Sequence, residues 1–332
     1  MPANLTPEYR NAEKVYRAAT TDGEKLAALE RMLAVIPKHK GTDHLQGDLK
    51  RRIAKLRNAP TSKAGARQRD IFHVERGGAG QVVLMGMPNC GKSTLVGTLS
   101  KARVTITDYP FGTHAPVPGM AHHEDVAIQL IDMPPITPDA LPPGMMGAYR
   151  AADAILICID LAAHDALEQL DTCLDILDQR GMAPVGRHVD REERDDEGRQ
   201  FKTTLVVGTK DDLPAAPDTF DALCDLYGDR LPLLSISAHA SHHLGELTAH
   251  LFDVLQVIRV YCKEPGRPVD MRVPFVLPRG ATVIDMARAV HRDFPDRLKH
   301  ACVWGSSKFD GQQVTRTFVL SDRDIVELHI AG

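Results

Sequence analysis

The sequence contains few aromatic residues and no long apolar run. Only 5% of its 332 residues are aromatic, and one of them is tryptophan. No stretch approaches the roughly 20 consecutive apolar residues that a membrane-spanning helix needs. The first residues also lack the basic segment and apolar core of an export signal. We therefore expect a cytoplasmic protein without a membrane partner.

Cysteines are also sparse, and none has the C-x-x-C spacing of a zinc or redox motif. Several of the six lie inside apolar runs, which favours buried thiols over disulfides or metal ligands. The formal net charge of −4 argues against nucleic-acid binding over the whole surface. A hydrophobic content of 43% is ordinary for a globular chain of two or three domains.

Residues 1–78 are predicted to form an N-terminal helical hairpin with a basic linker. Apolar residues recur at helical spacing along two faces, namely Leu26, Leu29, Met32, Leu33 and Ile36, then Leu45, Leu49, Ile53 and Leu56. Cationic residues gather in the connection and second helix, at Lys38, Lys40, Lys50, Arg51 and Arg52. They form either a solvated helix face or a contact for the phosphate backbone of a structured RNA. Aromatic residues do not interleave with them, so stacking on single-stranded RNA has no support.

Residues 79–262 alternate apolar strands with helical stretches. The strand candidates are Val82–Met85, Val126–Ile131, Ala154–Ile159, Thr204–Val207 and Leu231–Ile236. This alternation predicts an α/β domain with a mainly parallel sheet. Residues 265–332 change character after Pro265, and their strand–helix–strand–strand order predicts a small α+β domain.

A phosphate-binding loop lies between the first of these strands and a helix. The segment Gly86-Met-Pro-Asn-Cys-Gly-Lys-Ser-Thr94 matches the pattern G-x-x-x-x-G-K-[ST]. Lys92 supplies positive charge to the outer phosphates, and Ser93 offers its hydroxyl to Mg²⁺. The pattern predicts binding of a nucleoside triphosphate by Gly86, Pro88, Asn89, Cys90, Gly91, Lys92, Ser93 and Thr94.

Two further segments indicate that the base is guanine. Thr209-Lys210-Asp211-Asp212 follows an apolar strand and fits the pattern [NT]-K-x-D. The Asp212 carboxylate can accept hydrogen bonds from guanine N1–H and the exocyclic amine, whereas adenine presents an acceptor and no amine there. Ser237 and Ala238 follow another strand and suit a loop whose backbone N–H meets the guanine carbonyl.

Two residues between these segments are candidates for sensing the terminal phosphate. Asp132 follows a strand and fits the first position of D-x-x-G, where a carboxylate holds Mg²⁺ through water. Thr113 is the candidate threonine whose hydroxyl reaches Mg²⁺ only when the terminal phosphate is present. Lys92 and Thr113 are the catalytic candidates.

These motifs resemble the Obg-like GTPases, and within them the branch of developmentally regulated GTP-binding (DRG) proteins. The similarity lies in three segments, the hairpin Ile36–Arg57, the loop Gly86–Thr94 and the segment Tyr109–Thr113. The tail is similar to the TGS domain, a ubiquitin-like β-grasp module, over Val273–Val283, Val303–Gly305 and Asp322–Ile330. The resemblance implies a cytoplasmic GTPase that works on or near the ribosome or another RNA assembly.

The chain departs from the family pattern at two positions. Pro135 replaces the glycine of D-x-x-G, and proline has no N–H to offer the terminal phosphate. Ile136 stands where many small GTPases carry a glutamine that positions water, and its aliphatic side chain cannot form that hydrogen bond. We therefore expect slow intrinsic hydrolysis that needs an external contribution, such as a regulatory protein partner or the RNA assembly.

The resemblance also suggests a potassium site. In related GTPases an asparagine at the position of Asn89 helps to bind K⁺ beside the phosphates. Asn89 could instead only stabilise the turn. Two other functions remain alternatives: a non-catalytic guanine-nucleotide sensor or scaffold, and an RNA-binding assembly factor with a vestigial nucleotide site.

Overall fold

The computed structural model describes residues 7–18, 22–36, 46–47, 49–51, 53, 71–100, 115–137, 141–142, 144–190 and 192–331. They belong to two compact units, which divide between residues 69 and 70. Within the described residues, no helix is long and apolar enough to cross a membrane.

The first unit is helical. Its helices are α1 (Pro7–Ala18) and α2 (Asp22–Val35), and the described residues among 46–53 are helical as well. Its small core contains Tyr9, Ala12, Leu29, Met32, Ile36, Leu49 and Ile53. Helix α1 adds to the hairpin that the sequence pattern predicts. Lys50 and Arg51 are exposed, whereas Lys38, Lys40 and Arg52 lie outside the described residues.

The second unit begins with a seven-stranded sheet covered by helices on both faces. Its strands are β1 (Gln81–Met85), β2 (Val117–His123), β3 (Val126–Asp132), β4 (Ala154–Asp160), β5 (Met182–Val185), β6 (Gln200–Thr209) and β7 (Leu233–Ser235). Its helices are α3 (Lys92–Leu99), α4 (Met145–Ala151), α5 (Ala166–Gln179), α6 (Ala216–Tyr227) and α7 (Leu244–Leu255).

The strand order is β2-β3-β1-β4-β6-β5, with β7 also paired to β6. Among these seven described strands only β2 runs antiparallel to its neighbour, so the predicted mainly parallel sheet is confirmed. Every residue of β1 is buried, as expected for a parallel strand with helices on both sides. Successive residues face opposite cores: Val83 packs towards α4, α5 and α6, and Leu84 towards α3 and α7.

This topology brings four strand ends to one edge of the sheet. Because β1, β3, β4 and β6 are parallel, their carboxyl ends lie together. Leu84 pairs with Asp132, and Asp160 pairs with Thr209. The residues that follow these strands therefore converge at the crevice where open α/β sheets bind ligands.

The C-terminal residues form a second sheet of five strands, in the order β11-β10-β12-β8-β9. The strands are β8 (Val257–Lys263), β9 (Phe275–Pro278), β10 (Leu298–Trp304), β11 (Gln312–Val314) and β12 (Asp324–Ile330), with helices α8 (Val283–Val290) and α9 (Phe294–Arg297). Thr282 and Asp285 form a capping box that fixes the start of α8.

The sheet pairing corrects the expected end of the first α/β domain at residue 262. Strand β8 pairs with β9 and β12, so it belongs to the C-terminal domain. Gln256 alone separates β8 from α7, and its φ of 51° reverses the chain there. With no Pro/Gly-rich break before β8, the sequence gives no local signal of a boundary until Pro265.

Candidate nucleotide-binding site

At two positions of the phosphate loop the backbone conformation requires glycine. A Cβ on Gly86 would lie 2.5 Å from the Cys158 carbonyl oxygen and 2.6 Å from Cys90 Sγ. Gly91 has a φ of 88°, in the left-handed region that glycine adopts at little cost. Helix α3 starts at the next residue, so its N-terminal amides point towards the loop.

Lys92 lies inside this loop. Its ammonium donates hydrogen bonds to the carbonyl oxygens of Gly86 at 3.0 Å and Met87 at 2.9 Å. Only 5% of the residue is exposed. The side chain is thus positioned across the loop, where a cation can neutralise bound phosphate oxygens.

Ser93 and Asp132 bring two oxygen donors together. Ser93 Oγ donates a hydrogen bond to Asp132 Oδ2 over 2.5 Å. Ser93 lies in the first turn of α3 and Asp132 closes β3, so two rigid elements hold the pair. Mg²⁺ prefers oxygen ligands and usually keeps several waters, so a hydroxyl beside a carboxylate suits this ion.

The residues predicted to read the base lie at the end of β6 and in the loop after β7. Thr209 Oγ1 donates to the carbonyl oxygens of Cys90 at 2.8 Å and Ile159 at 3.1 Å, which ties this strand end to the phosphate loop. A hydrogen bond from the Ser237 side chain lowers the pKa of Asp212, which favours the ionised carboxylate. An ionised carboxylate is the acceptor that guanine recognition requires.

The two groups of residues line neighbouring parts of one cleft. The base side has a volume of about 230 Å³ and the phosphate side about 640 Å³. Gly91, Thr94 and Lys210 line both parts. Of the predicted site residues, those that line the cleft are Pro88, Asn89, Gly91, Lys92, Ser93, Thr94, Asp132, Thr209, Lys210, Asp212, Ser237 and Ala238.

Two predicted site residues of the phosphate loop are placed differently. Gly86 and Cys90 are buried and are not on the cleft wall. Thr113 lies outside the described residues. Asn89 is exposed and has a φ of 63°, a left-handed conformation that asparagine tolerates.

Some residues of the site have no motif in the sequence. Asp160, at the end of β4, forms an ion pair of 2.6 Å with Lys210 and so holds the side chain that crosses between the two parts of the cleft. Its position after a buried strand is the signal that could have indicated it. Asp211 turns away from the cleft, with His242 Nδ1 at 3.5 Å and His243 Nδ1 at 3.3 Å from its carboxylate.

The two unusual residues after Asp132 have different surroundings. Pro135 lines the phosphate side of the cleft. Ile136 is fully buried in the core beneath the sheet edge, and its N–H donates to the Gly86 carbonyl at 3.2 Å. Pro135 thus presents no N–H to the cleft, and the side chain and N–H of Ile136 are both engaged elsewhere.

Family models match two parts of the chain. A family described as 50S ribosome-binding GTPase matches residues 81–186, and the TGS domain matches residues 258–330. The chain therefore has a P-loop GTPase domain followed by a TGS domain. The expected fold class is confirmed, and the second match begins within β8, in agreement with the sheet pairing.

Proteins similar over most of the chain are GTP-binding proteins. An uncharacterized GTP-binding protein of Methanocaldococcus jannaschii is 27% identical over 92% of this chain and 92% of its own. Developmentally-regulated G-protein 1 of Arabidopsis thaliana is 27% identical over 92% of this chain and 90% of its own. The solved structure of the YchF GTPase of Schizosaccharomyces pombe is 13% identical, with a TM-score of 0.52 over 77% of this chain and 99% of its own, and shares the fold.

Proposed function

We propose that this chain is a GTP-hydrolysing switch of the DRG branch that acts in translation or in another ribosome-associated process in the cytoplasm. The observation that carries the proposal is the single cleft between the phosphate loop and Asp212. A guanine base at Asp212 and phosphates at Lys92 would occupy its two parts, which meet at Gly91, Thr94 and Lys210.

The side chains divide the work of binding and hydrolysis. Lys92 neutralises the outer phosphates, while the N-terminal amides of α3 donate to phosphate oxygens. Asp212 accepts from the base, and Lys210 is held across the cleft by Asp160. Ser93, Asp132 and Thr113 would hold Mg²⁺, which spreads the negative charge of the phosphates when bound.

We infer that intrinsic hydrolysis is slow. Water attack needs a group that orients the nucleophile, and the aliphatic side chain of Ile136 is buried away from the cleft. Pro135 offers no N–H to the terminal phosphate. The missing contribution would come from a partner, or from K⁺ bound near Asn89.

The partner we propose is a ribosome or other structured RNA, with a regulatory protein as a further possibility. Lys50 and Arg51 are exposed on the helical unit, and with Lys38, Lys40 and Arg52 they make a cationic segment. Contacts of this kind are directed to the phosphate backbone and weaken as salt rises. The ribosome-binding description of the matching GTPase family supports the same partner.

Release of phosphate from GTP tests the proposal. We expect purified protein to turn over below roughly 1 s⁻¹ on its own and faster with ribosomes, and we expect a higher rate in KCl than in NaCl if Asn89 binds K⁺. The Lys92→Met variant controls for contaminating GTPases, because it removes the phosphate-neutralising charge. Equal rates with and without ribosomes would contradict the ribosomal role, and equal rates in the two salts would contradict the K⁺ role.

The second candidate is a guanine-nucleotide sensor that binds without hydrolysing. Pro135 on the cleft wall favours it, because that loop then discriminates poorly between GTP and GDP. Tight GTP binding with no phosphate release under any of these conditions would establish the sensor and exclude the switch.

A further inference from the structure

Three side chains that can bind a transition metal meet on the TGS sheet, far along the chain from the GTPase motifs. They are His300 and Cys302 on β10 and His329 on β12. One possible ligand atom from each lies within 4.8 Å of those of the other two. Among the described residues this is the one group of three or more His, Cys, Asp or Glu side chains with such a geometry.

The antiparallel pairing of β10 and β12 creates this arrangement. His300 pairs directly with His329, and their rings stack at 4.3 Å with an interplanar angle of 14°. Cys302 is two residues along β10, so it projects from the same face as His300. The alternate residues Ala301 and Val303 enter the domain core, which leaves the opposite face for the cluster.

The local environment suits a bound cation. Glu327 is 89% buried as a side chain, and its Oε1 lies 2.9 Å from His329 Nε2. When an ion binds at this nitrogen, which also faces Cys302, it replaces the contact with Glu327, and the carboxylate stays next to the ion. The nearby positive charge of Lys263 is already paired with Glu327 and lies over the Trp304 ring.

We propose that His300, Cys302 and His329 form a divalent transition-metal site, with zinc as the preferred ion. Imidazole and thiolate are the ligands that zinc selects, and three protein ligands leave a fourth position for water. Ligands of tetrahedral zinc lie roughly 3.5 Å apart. Cys302 Sγ and His329 Nε2 are 4.0 Å apart, so small side-chain rotations close the site. The Cys302 thiol loses its proton to solvent when the sulfur binds.

Cobalt can test the site because a Co²⁺–thiolate bond produces charge-transfer absorption. The full chain is first saturated with GDP and Mg²⁺, so that the oxygen ligands of the GTPase domain are occupied. Titration with Co²⁺ should then give a thiolate charge-transfer band and strong visible bands of a four-coordinate ion, with one equivalent bound. Zn²⁺ should displace the cobalt and abolish both signals.

Two variants locate the site. Cys302→Ser should remove the thiolate band, and His329→Asn should weaken cobalt binding at least about tenfold. Cys224→Ser is the matched control, because Cys224 is a half-buried thiol on α6 of the GTPase domain, and it should retain the full band. GDP binding and thermal unfolding show whether each variant is folded. A wild-type protein without the band, or a Cys302→Ser protein that keeps it, would overturn the proposal.

Discussion

Asp212 and Asp211 are adjacent carboxylates with different surroundings. Asp212 lines the base side of the cleft and interacts with Ser237. Asp211 faces His242 and His243 instead. This division explains why the pattern [NT]-K-x-D allows any residue before the final aspartate. The Asp212 side chain faces the cleft, whereas the Asp211 side chain contacts histidines of the loop after β7.

Replacing Asp212 by Asn should therefore change which base the protein prefers. The amide donates where the carboxylate accepted, so GTP affinity should fall on the order of a hundredfold, since hydrogen bonds to charged groups contribute about 1.5–3 kcal/mol each. Xanthosine triphosphate presents an acceptor in place of the guanine amine and should bind better than GTP. Competition binding with both nucleotides measures the change.

Asp211→Asn is the matched control for this substitution. It alters the neighbouring carboxylate by the same atoms and should keep the preference for GTP. Unchanged GTP affinity in Asp212→Asn would refute the base-reading role.

At the level of single residues, sequence reasoning predicted the phosphate loop, Asp132 and Asp212 as site residues because their spacing reflects a chemical requirement, and the structure places them along one cleft. It could not show where Ile136 points, since an apolar residue after a motif fits a core or a cleft equally well. The fold decides this by burying it beneath the sheet edge. Asp160 was missed for the converse reason, because an aspartate after a strand is common and only the Lys210 contact gives it a role.

Among the elements, strand β6 is tied to the end of helix α4 by a buried lysine. Lys202 is 2% exposed, and its ammonium donates to the carbonyl oxygens of Ala152 and Arg150, the latter at 3.2 Å. A cation is favourable at the C-terminal end of a helix. Burial nevertheless lowers the pKa of Lys202 from its usual 10.5 to about 8.

This pKa gives the Lys202→Met variant a distinct pH dependence. Between pH 8 and 10.5 the unfolded chain binds the lysine proton and the folded chain has lost it, so the free energy of unfolding of the wild type rises with pH through this group. From pH 7.5 to 9.5, the free energy of unfolding of the wild type should rise by about 2 kcal/mol relative to that of the variant. Urea unfolding of both proteins measures it.

The buried cysteines and tyrosines also titrate at high pH, but they are present in both proteins and cancel in the difference. Parallel pH profiles for the two proteins would contradict the assignment of a lowered pKa to Lys202.

The sequence pattern predicted the strands that are buried on both faces, but it did not predict the edge strand β2 or the short strands β5 and β11. Strands β1 and β4 are almost entirely apolar, and β3 and β6 contain apolar runs, all of which single-sequence reasoning detects well. Strand β2 contains proline and glycine, and among the described strands it pairs with β3 alone at the edge of the sheet, where such residues are tolerated. Strands β5 and β11 are short, so their partners rather than their composition define them.

For the whole second unit, Arg259 joins the GTPase and TGS domains. Its guanidinium contacts Asp322 of the TGS domain at 2.6 Å, Asp125 at 3.2 Å and Glu124, the last two forming the β2–β3 turn. Its side chain is 5% exposed and lies over the Phe252 ring of α7. The turn joins β2 to β3. Asp132 closes β3, and Thr113 precedes β2 in the sequence, so the TGS domain contacts the hairpin that lies between the two candidate phosphate sensors in the sequence.

Replacing Arg259 by Met should destabilise the second unit by on the order of 2–3 kcal/mol, because Asp322 and Asp125 lose the cation that contacts them. Glu124 keeps its contact with Arg323. Hydrogen bonds from Arg259 lower the pKa of Glu124. Burial alone would raise the pKa of Asp322, but hydrogen bonds from Arg259 outweigh it and lower the pKa. The stabilisation is therefore present above the usual carboxylate pKa values and is lost as pH falls below them.

Urea unfolding at neutral and acid pH measures this contribution. The difference in the free energy of unfolding between the wild type and Arg259→Met should decrease as the pH is lowered. Arg323→Met is the control, because its side chain is 58% exposed and contacts Glu124 alone among these carboxylates. An equal loss in the two variants would show that Arg259 has no special role.

The order of strands in the TGS sheet has a consequence for biosynthesis. Strand β8 follows directly on the GTPase domain, yet its neighbour β12 is the last strand among the described residues. Until β12 is synthesised, one edge of β8 carries unpaired backbone groups beside a GTPase domain whose own strands are already complete. A ribosome that stalls between these two strands would thus display an unpaired strand edge next to a finished nucleotide site. The nascent chain therefore acquires its nucleotide site before it acquires the domain that Arg259 joins to it.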